Sequence, residues 1–497
     1  MTPSLLLLLL LLTLLAAATE GNRIRVKKET GQGSDRVRNL PGQPPVTFRH
    51  YSGYVKLGGG KEKALFYWFF EAEGGKKKPL ALWLNGGPGC SSIAYGAAQE
   101  LGPFLVRSDG LNLTLNPYSW NKVANILFLE SPVGVGFSYT NRSSDLKELG
   151  DRITAEDSHD FLLSWFKRFP RFKSHDFYIA GESYGGHYVP QLAELIYEGN
   201  KAASKDSYIK LKGFMIGNAV INDETDQMGM VEYAWSHAII SDELYSAVTK
   251  DCNSFKEEDD DGQNSSSVRA CSPAVKAFMQ AYSDIDIYSI YTPVCLSSLE
   301  ERRSRKSKLV AAPRLFSQHE LWHGMRWGLA SGYDPCTADY VEKYFNREDV
   351  QRALHANITH LTYPYTPCSE VIEKWNDSPS TVLPIIRKLL HAGLRIWVYS
   401  GDTDGRVPVT STRFSINKMK LKPKKTKTSP SSSLIDESWR AWYHEKQVGG
   451  WLVEYDEGLT LATVRGAGHQ VPVFEPERSL SLFSHFLEGK PLPSARF

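Results

Sequence analysis

Residues 177–186, FYIAGESYGG, constrain the fold of this 497-residue chain more than any other stretch. An apolar run ends in Gly181-Glu182-Ser183-Tyr184-Gly185, and a helix-like segment follows. That is the layout of a nucleophile elbow, in which a tight strand-to-helix turn lifts a serine hydroxyl clear of a sheet. Glycine is needed at Gly181 and Gly185 because a Cβ at either position would crowd the turn and the helix leaving it. Chance produces about 0.2 such pentapeptides in a chain of this size. The serine is therefore judged by whether the rest of the chain supplies its partners.

The surrounding pattern is that of an α/β protein. Short, mostly continuous apolar runs at 64–70, 80–84, 124–129, 177–180 and 211–216 suit strands covered on both faces, in a strand-rich region that begins at Val46. Between them Ile153, Phe161, Leu162, Trp165, Phe166 and Phe169 fall on one helical face, and Pro170 ends the segment. Strand and helix in alternation imply a mainly parallel central sheet with helices on both faces. After Asn222 the texture changes. Residues 224–379 read as a helical insertion, or cap, with an acidic tract at 257–267 and a basic one at 300–308 as solvated loops. Strand-like runs resume at 395–399 and 460–464, and a last helix at 476–487 aligns Leu480, Phe483, Phe486 and Leu487. The lysine- and serine-rich stretch 418–433 reads as an exposed loop.

Charge and cysteine usage narrow the setting. Lys plus Arg (58) nearly cancels Asp plus Glu (56), so no overall field favours nucleic acid or an anionic membrane. An apolar run at 5–18 ends in small residues and turns polar at Glu20, the length and ending of a secretory signal, although no Lys or Arg precedes it. It is short for a membrane span, and no later stretch reaches spanning length. Sequons at Asn112, Asn141, Asn264, Asn357 and Asn376 agree with that compartment. So do the six cysteines, Cys90, Cys252, Cys271, Cys295, Cys336 and Cys368, which lack metal-like spacing and read as three disulfides among 15 connectivities. No metal and no cofactor is expected. The expected organisation is a signal peptide at 1–19, a mobile arm or pro-segment at 20–44, a core at 45–223, the insertion at 224–379 and the rest of the core at 380–497. A cleavable loop near 300–310 carries the dibasic Arg302-Arg303, where nicking would leave two disulfide-linked chains.

A serine nucleophile needs a base, and the base an orienting acid. The run 395–399 leads into Ser400-Gly401-Asp402-Thr403-Asp404, which offers two aspartates at the carboxyl end of a strand. The run 460–464 leads into Arg465-Gly466-Ala467-Gly468-His469. Ser, Asp, His in that order is the order of an α/β-hydrolase fold. The spacing leaves open which aspartate serves.

The chain resembles the serine carboxypeptidase family, which includes carboxypeptidase Y, cathepsin A and the plant enzymes, with the plant type II members most alike. The resemblance rests on Trp83-Leu84-Asn85-Gly86-Gly87-Pro88-Gly89-Cys90-Ser91-Ser92 and on Glu130-Ser131-Pro132-Val133-Gly134-Val135-Gly136-Phe137-Ser138-Tyr139. It continues through Gly181 to Gly186, Gly217-Asn218, Tyr399 to Asp404, and Arg465 to His469, and covers about 45–492. It implies Ser183 as nucleophile, His469 as general base and acid, and Asp404 as the orienting carboxylate, with Asp402 structural. It implies an oxyanion hole from the N–H groups of Tyr184 and Gly87. It assigns recognition of the substrate carboxylate to Asn85, Gly86, Glu100, Glu182 and Trp83. Two touching carboxyls cannot both ionise cheaply, so the Glu100–Glu182 pair should keep a proton and favour acidic conditions. Tyr184 and Gln470 are implied as pocket walls, the neutral Gln470 leaning towards apolar leaving residues, while His187 reads as packed on the elbow helix.

By the same analogy Cys90 pairs with Cys368, Cys252 with Cys271, and Cys295 with Cys336. The implied activity is removal of single residues from peptide or protein C-termini in the secretory pathway, secreted or in a vacuole or lysosome. Relatives commonly form homodimers. An acyltransferase of the same fold, or a protective binding protein without turnover, is the competing reading. Intact Glu182 and Asn85 favour the hydrolase over the former, and the intact triad disfavours the latter.

Overall fold

A computed structural model describes residues 31–58, 62–75, 77–251, 265–295, 334–424 and 438–496. Its strands are β1 (Arg36–Val37), β2 (His50–Leu57), β3 (Lys63–Phe70), β4 (Leu80–Leu84), β5 (Phe104–Val106), β6 (Leu113–Leu115), β7 (Asn125–Leu129), β8 (Tyr139–Thr140), β9 (Phe177–Glu182), β10 (Leu211–Gly217), β11 (Arg395–Gly401), β12 (Arg440–His444), β13 (Gln447–Glu454) and β14 (Leu459–Val464). Its α-helices are α1 (Asp151–Arg168), α2 (Gly185–Lys201), α3 (Asp223–Ser236), α4 (Asp242–Asp251), α5 (Ser265–Ala281), α6 (Thr337–Phe345), α7 (Glu348–Ala353), α8 (Leu383–His391), α9 (Val409–Lys418), α10 (Val471–Phe474) and α11 (Pro476–Glu488).

Among the described residues twelve strands make one sheet, in the order β1-β2-β3-β7-β4-β9-β10-β11-β14-β13-β12 with β8 beside β3. The six from β7 to β14 run parallel, while the strands beyond each end join antiparallel. The parallel centre follows from its apolar runs, because a strand covered on both faces needs no polar alternation. In β4, Leu80, Leu82 and Leu84 enter one core and Ala81 and Trp83 the other. The first core is filled by α1, α2 and α8, and the second by α6, α11 and a wide helical turn at Ile93–Glu100. The architecture is thus an α/β-hydrolase fold.

Two boundaries differ from the expected ones. The segment expected to be a mobile arm or pro-segment up to residue 44 is packed from Asp35 onwards. Arg36 and Val37 pair with β2, Val37 and Leu40 are buried, and Asp35 takes hydrogen bonds from Tyr67 (2.6 Å) and Arg168 (2.8 Å). Apolar anchors and one ion pair offset the basic, polar composition that made this stretch look loose.

The insertion expected at 224–379 is divided between two places. From α3 to Ile287 it forms a small core of its own, with Met230, Val231, Phe278 and Tyr282 at its centre. Val341, Tyr344, Phe345 and Val350 of α6 and α7 instead belong to the core of the main sheet. The signal peptide, Cys252, Asn264 and the dibasic loop lie outside the described residues.

Candidate active site

β9 ends at Glu182 and α2 begins at Gly185, so Ser183 and Tyr184 make the turn between them. Ser183 has φ 60°, a left-handed conformation that a non-glycine residue adopts at a cost. Its N–H donates to Gly217 O at 3.0 Å and its carbonyl accepts from Val220 N–H at 2.9 Å, which holds the strained residue from both sides. A Cβ at Gly181 would lie 2.5 Å from Leu84 O, so the elbow needs glycine there for the reason the sequence suggested.

β9, β10, β11 and β14 are consecutive parallel neighbours, so the loops leaving their carboxyl ends emerge along one edge. Asp404 Oδ2 accepts from His469 Nδ1 at 2.6 Å, and both residues are buried. An ionised carboxylate only accepts, so the Nδ1 proton leaves Nε2 as the ring nitrogen open to a proton. Asp404 also accepts from Arg406 N–H (2.7 Å), Val407 N–H (3.2 Å) and Asn218 Nδ2 (2.9 Å). Asp402 is used elsewhere: its Oδ1 accepts from Gly466 N–H at 2.7 Å and holds the histidine loop. The choice that spacing left open between the two aspartates thus has a geometric answer, since Asp404 is the one that meets His469.

A second cluster lies directly before the serine. Asn85 Nδ2 donates to Oε1 of both Glu100 and Glu182 at 2.9 Å, while Asn85 Oδ1 accepts from Trp83 Nε1 (2.6 Å) and Gly96 N–H (3.1 Å). All four amide positions are thereby used and the Asn85 orientation is fixed. Glu100 reaches the cluster because Ile93–Glu100 is a π-helix, wider than an α-helix, whose end is turned by the Leu101 N–H donating to Gly96 O at 2.9 Å. Burial pushes the Glu100 carboxyl up to about 7. Burial and then the neighbouring Glu100 charge push Glu182 well above the usual carboxylate range. Both carboxyls share the one Asn85 amide, neither Oε2 has a hydrogen-bond partner, and two buried carboxyls this close cannot both ionise cheaply.

The loop after β4 closes on the elbow. A Cβ on Gly86 would sit 2.3 Å from Tyr184 N, and Gly87 has φ 114°. Only residues without side chains bring these backbone N–H groups so near the start of α2, where the first helical N–H groups have no intrahelical acceptor. The bond Cys90–Cys368 ties the end of this loop to the segment returning from the insertion, and Cys295–Cys336 closes a second link. Tyr184 is buried, its hydroxyl turned inward to Asp151, and His187 is packed beneath it.

Two residues carry more than their sequence context showed. Gln470, read as a pocket wall, donates from Nε2 to Glu100 Oε1 at 3.1 Å and so joins the carboxyl cluster. Asn218 was visible only as part of the Gly217-Asn218 match. Its place at the carboxyl end of β10, between the strands bearing serine and aspartate, was the signal available.

A strained serine at the carboxyl edge of a parallel sheet, with an imidazole–carboxylate pair emerging from the same edge, defines a hydrolase of the α/β type. The chain belongs to the serine carboxypeptidase family, whose profile matches residues 41–489, and it is an enzyme of that class. It is 60% identical over 477 residues to serine carboxypeptidase-like 35 of Arabidopsis thaliana, covering 96% of this chain and 95% of that one. It is 52% identical to serine carboxypeptidase 24 of the same plant, covering 93% and 94%. Among solved structures, Kex1(delta)p, a prohormone-processing carboxypeptidase from Saccharomyces cerevisiae, shares the fold with a TM-score of 0.72 at 22% identity, over 93% of this chain and 97% of that one. No helix among the described residues is long and apolar enough to cross a membrane.

Proposed function

We propose that this enzyme releases single residues from peptide C-termini through an acyl-enzyme, most effectively in acid. Ser183 Oγ attacks the last peptide carbonyl as His469 Nε2 takes its proton, and Asp404 stabilises the imidazolium that forms. The N–H groups of Tyr184 and Gly87 receive the developing oxyanion. The imidazolium then protonates the leaving amine. Water, activated by the same histidine, frees the shortened peptide and restores Ser183.

The observation that carries the exopeptidase reading is the pair Glu100–Glu182, two carboxyls buried next to the nucleophile and held by the one Asn85 amide. A protonated pair donates to a substrate carboxylate, whereas a doubly ionised pair repels it. Gly86 N–H completes that recognition, Asn85 and Trp83 hold the pair in place within the same network, and Gln470 supports Glu100. Entry into the secretory pathway through residues 1–19, glycosylation at exposed sequons such as Asn141 and delivery outside the cell or to a vacuole or lysosome complete the reading. Two disulfides agree with an oxidising compartment.

The test is mass spectrometry of a peptide set before and after incubation. Loss of one C-terminal residue at a time, abolished in Ser183→Ala, is expected. Transfer of an acyl group to an added alcohol acceptor without net peptide loss would favour the acyltransferase reading. Absence of both, with Ser183 inert to a fluorophosphonate, would overturn the enzymatic role.

A further inference from the structure

The small core of the insertion ends in a strap that reaches both catalytic loops. In this strap, residues 285–290 after α5, Ile287 is buried in the small core, and Tyr288 packs against that core and against the core of the main sheet. Three backbone hydrogen bonds join the strap to the loops leaving β11 and β14. Gly405 N–H donates to Ile287 O at 2.8 Å, His469 N–H to Tyr288 O at 2.7 Å, and Ile290 N–H to Thr403 O at 3.0 Å. The two loops are also joined directly, by Thr403 N–H donating to Ala467 O at 2.9 Å. The Tyr288 ring stands against the His469 imidazole, with centroids 4.9 Å apart and 64° between planes.

The approach depends on glycine on the catalytic side. A Cβ on Gly468 would lie 2.5 Å from Tyr288 O, and one on Gly405 would lie 3.1 Å from Ile287 O. The sequence around His469 is therefore fitted to the strap as well as to the sheet. Asp286 shapes the strap itself. It is 2% exposed, its Oδ1 accepts from Tyr288 N–H at 3.0 Å, and its carbonyl accepts from Ser289 N–H at 3.1 Å. The side chain thus closes the turn from which two successive carbonyls, of Ile287 and Tyr288, meet the two catalytic loops. Burial pushes this carboxyl up to about 8, so in acid it is neutral and acts through its acceptor oxygen rather than through charge.

We infer that Asp286 is a positioning residue for the catalytic pair: by closing the turn at 286–289 it lets the insertion core hold the Asp404 and His469 loops in register. The sheet brings the two loops to one edge, and the strap fixes where on that edge the imidazole stands, a placement to which turnover is steeply sensitive. The inference rests on the proposed roles of Ser183, Asp404 and His469.

The experiment measures the rate of fluorophosphonate labelling of Ser183 together with kcat and KM on one peptide. Asp286→Ala removes the acceptor, so its labelling rate and its kcat should both fall about fivefold, the rate equivalent of one neutral hydrogen bond, with KM and final label occupancy unchanged. Asp286→Asn keeps an oxygen in the acceptor's place and should recover most of that loss. Labelling of Asp286→Ala at the wild-type rate overturns the inference. A loss seen only as lower final occupancy also overturns it, because that reports an unfolded fraction and not a misplaced imidazole. Equal losses in both variants would show that the acceptor is not what matters. If Asp286→Ala does not fold, hydrogen exchange in the wild-type protein decides. The amides of Gly405 and His469 should exchange in step with those of Tyr288 and Ile290, since one opening of the strap releases all four. Exchange at the first two that is independent of the second two overturns the inference. Failure of the underlying reading is distinct, because Ser183 of the wild-type protein would then itself be inert to the fluorophosphonate.

Discussion

Gln470 Nε2 lies 3.1 Å from Glu100 Oε1, so the residue after the histidine is bonded to the carboxyl cluster. This donor favours the ionised form of Glu100 and restrains the upward push of burial. Gln470→Leu removes it. The pH at which peptide hydrolysis declines should then move upward, which kcat/KM profiles of the two proteins measured side by side would show. A downward movement would contradict the assignment.

Removing the substrate carboxylate should remove the acid preference. Burial pushes the Glu100 carboxyl up to about 7, and burial with the neighbouring Glu100 charge pushes Glu182 well above the usual range. Peptides with a free C-terminus should begin to lose kcat/KM as pH rises through that value, because the first negative charge on the pair repels the substrate carboxylate, and should lose more as Glu182 follows. C-terminal amides lack the repelled charge, so their profile should hold to higher pH. The check is one sequence in acid and amide form across about pH 5 to about pH 8. A free-acid profile climbing throughout that range would contradict the pair's role.

Stability should follow the same direction. Burial raises Glu130 to about 7, Asp226 to about 6 and Asp286 to about 8, in addition to the Glu100–Glu182 pair. Such groups bind protons more tightly folded than unfolded. Their contribution is complete below the ordinary carboxylate pKa and is lost as pH rises through the raised values. His50 and His159 act oppositely: burial lowers the first to about 3 and the second below its ordinary value, so they weaken the fold as pH falls below 6.5. Five carboxyls outweigh two imidazoles. Thermal unfolding should show a higher Tm near pH 5 than near pH 8, and the reverse order would show that groups other than these dominate.

Four of the sequons can be ranked by what their amides already do. Asn376 Nδ2 donates to Lys147 O (2.6 Å) and Leu149 O (2.9 Å), which uses both amide hydrogens, and a glycan takes one of them. Asn112 and Asn357 each donate once, to Asp109 and Gln351, while Asn141 is exposed and has no side-chain hydrogen bond. Glycopeptide mapping of protein from a eukaryotic secretory host should find Asn141 occupied and Asn376 bare. A fully glycosylated Asn376 in active protein would show that this loop tolerates the loss.

The parts legible in the sequence were those where one local rule acts. Continuous apolar runs gave the central strands, and two glycines around Ser183 gave the elbow. The antiparallel margins were less visible because β12 and β13 carry mixed polar residues at a sheet edge, and β1 is two residues long. Chemistry assembled across distant loops was legible only through family likeness. Glu100 is an ordinary glutamate until a π-helix turns it towards Asn85, and Asp151 is an ordinary helix-start acid until Trp375 returns to it some 220 residues later.

Asn218 should matter to turnover more than to binding. It sits at φ 39° after β10, its Oδ1 accepts from Gly401 N–H at 2.8 Å, and its Nδ2 donates to Asp404 Oδ2 at 2.9 Å. It thus braces the loop that presents Asp404 and supplies one of the donors that fix that carboxylate against His469. Asn218→Ala removes a hydrogen bond to a charged group, about 1.5–3 kcal/mol, which corresponds to roughly 10–100-fold in rate if expressed in the transition state. The loss should fall on kcat, because Asn85 and the glutamate pair, the proposed site for the substrate carboxylate, lie on other elements. Fluorophosphonate labelling of Ser183 should slow in parallel, since it needs the same activated serine but no bound carboxylate. A rise in KM with kcat and labelling unchanged would place Asn218 with substrate binding instead.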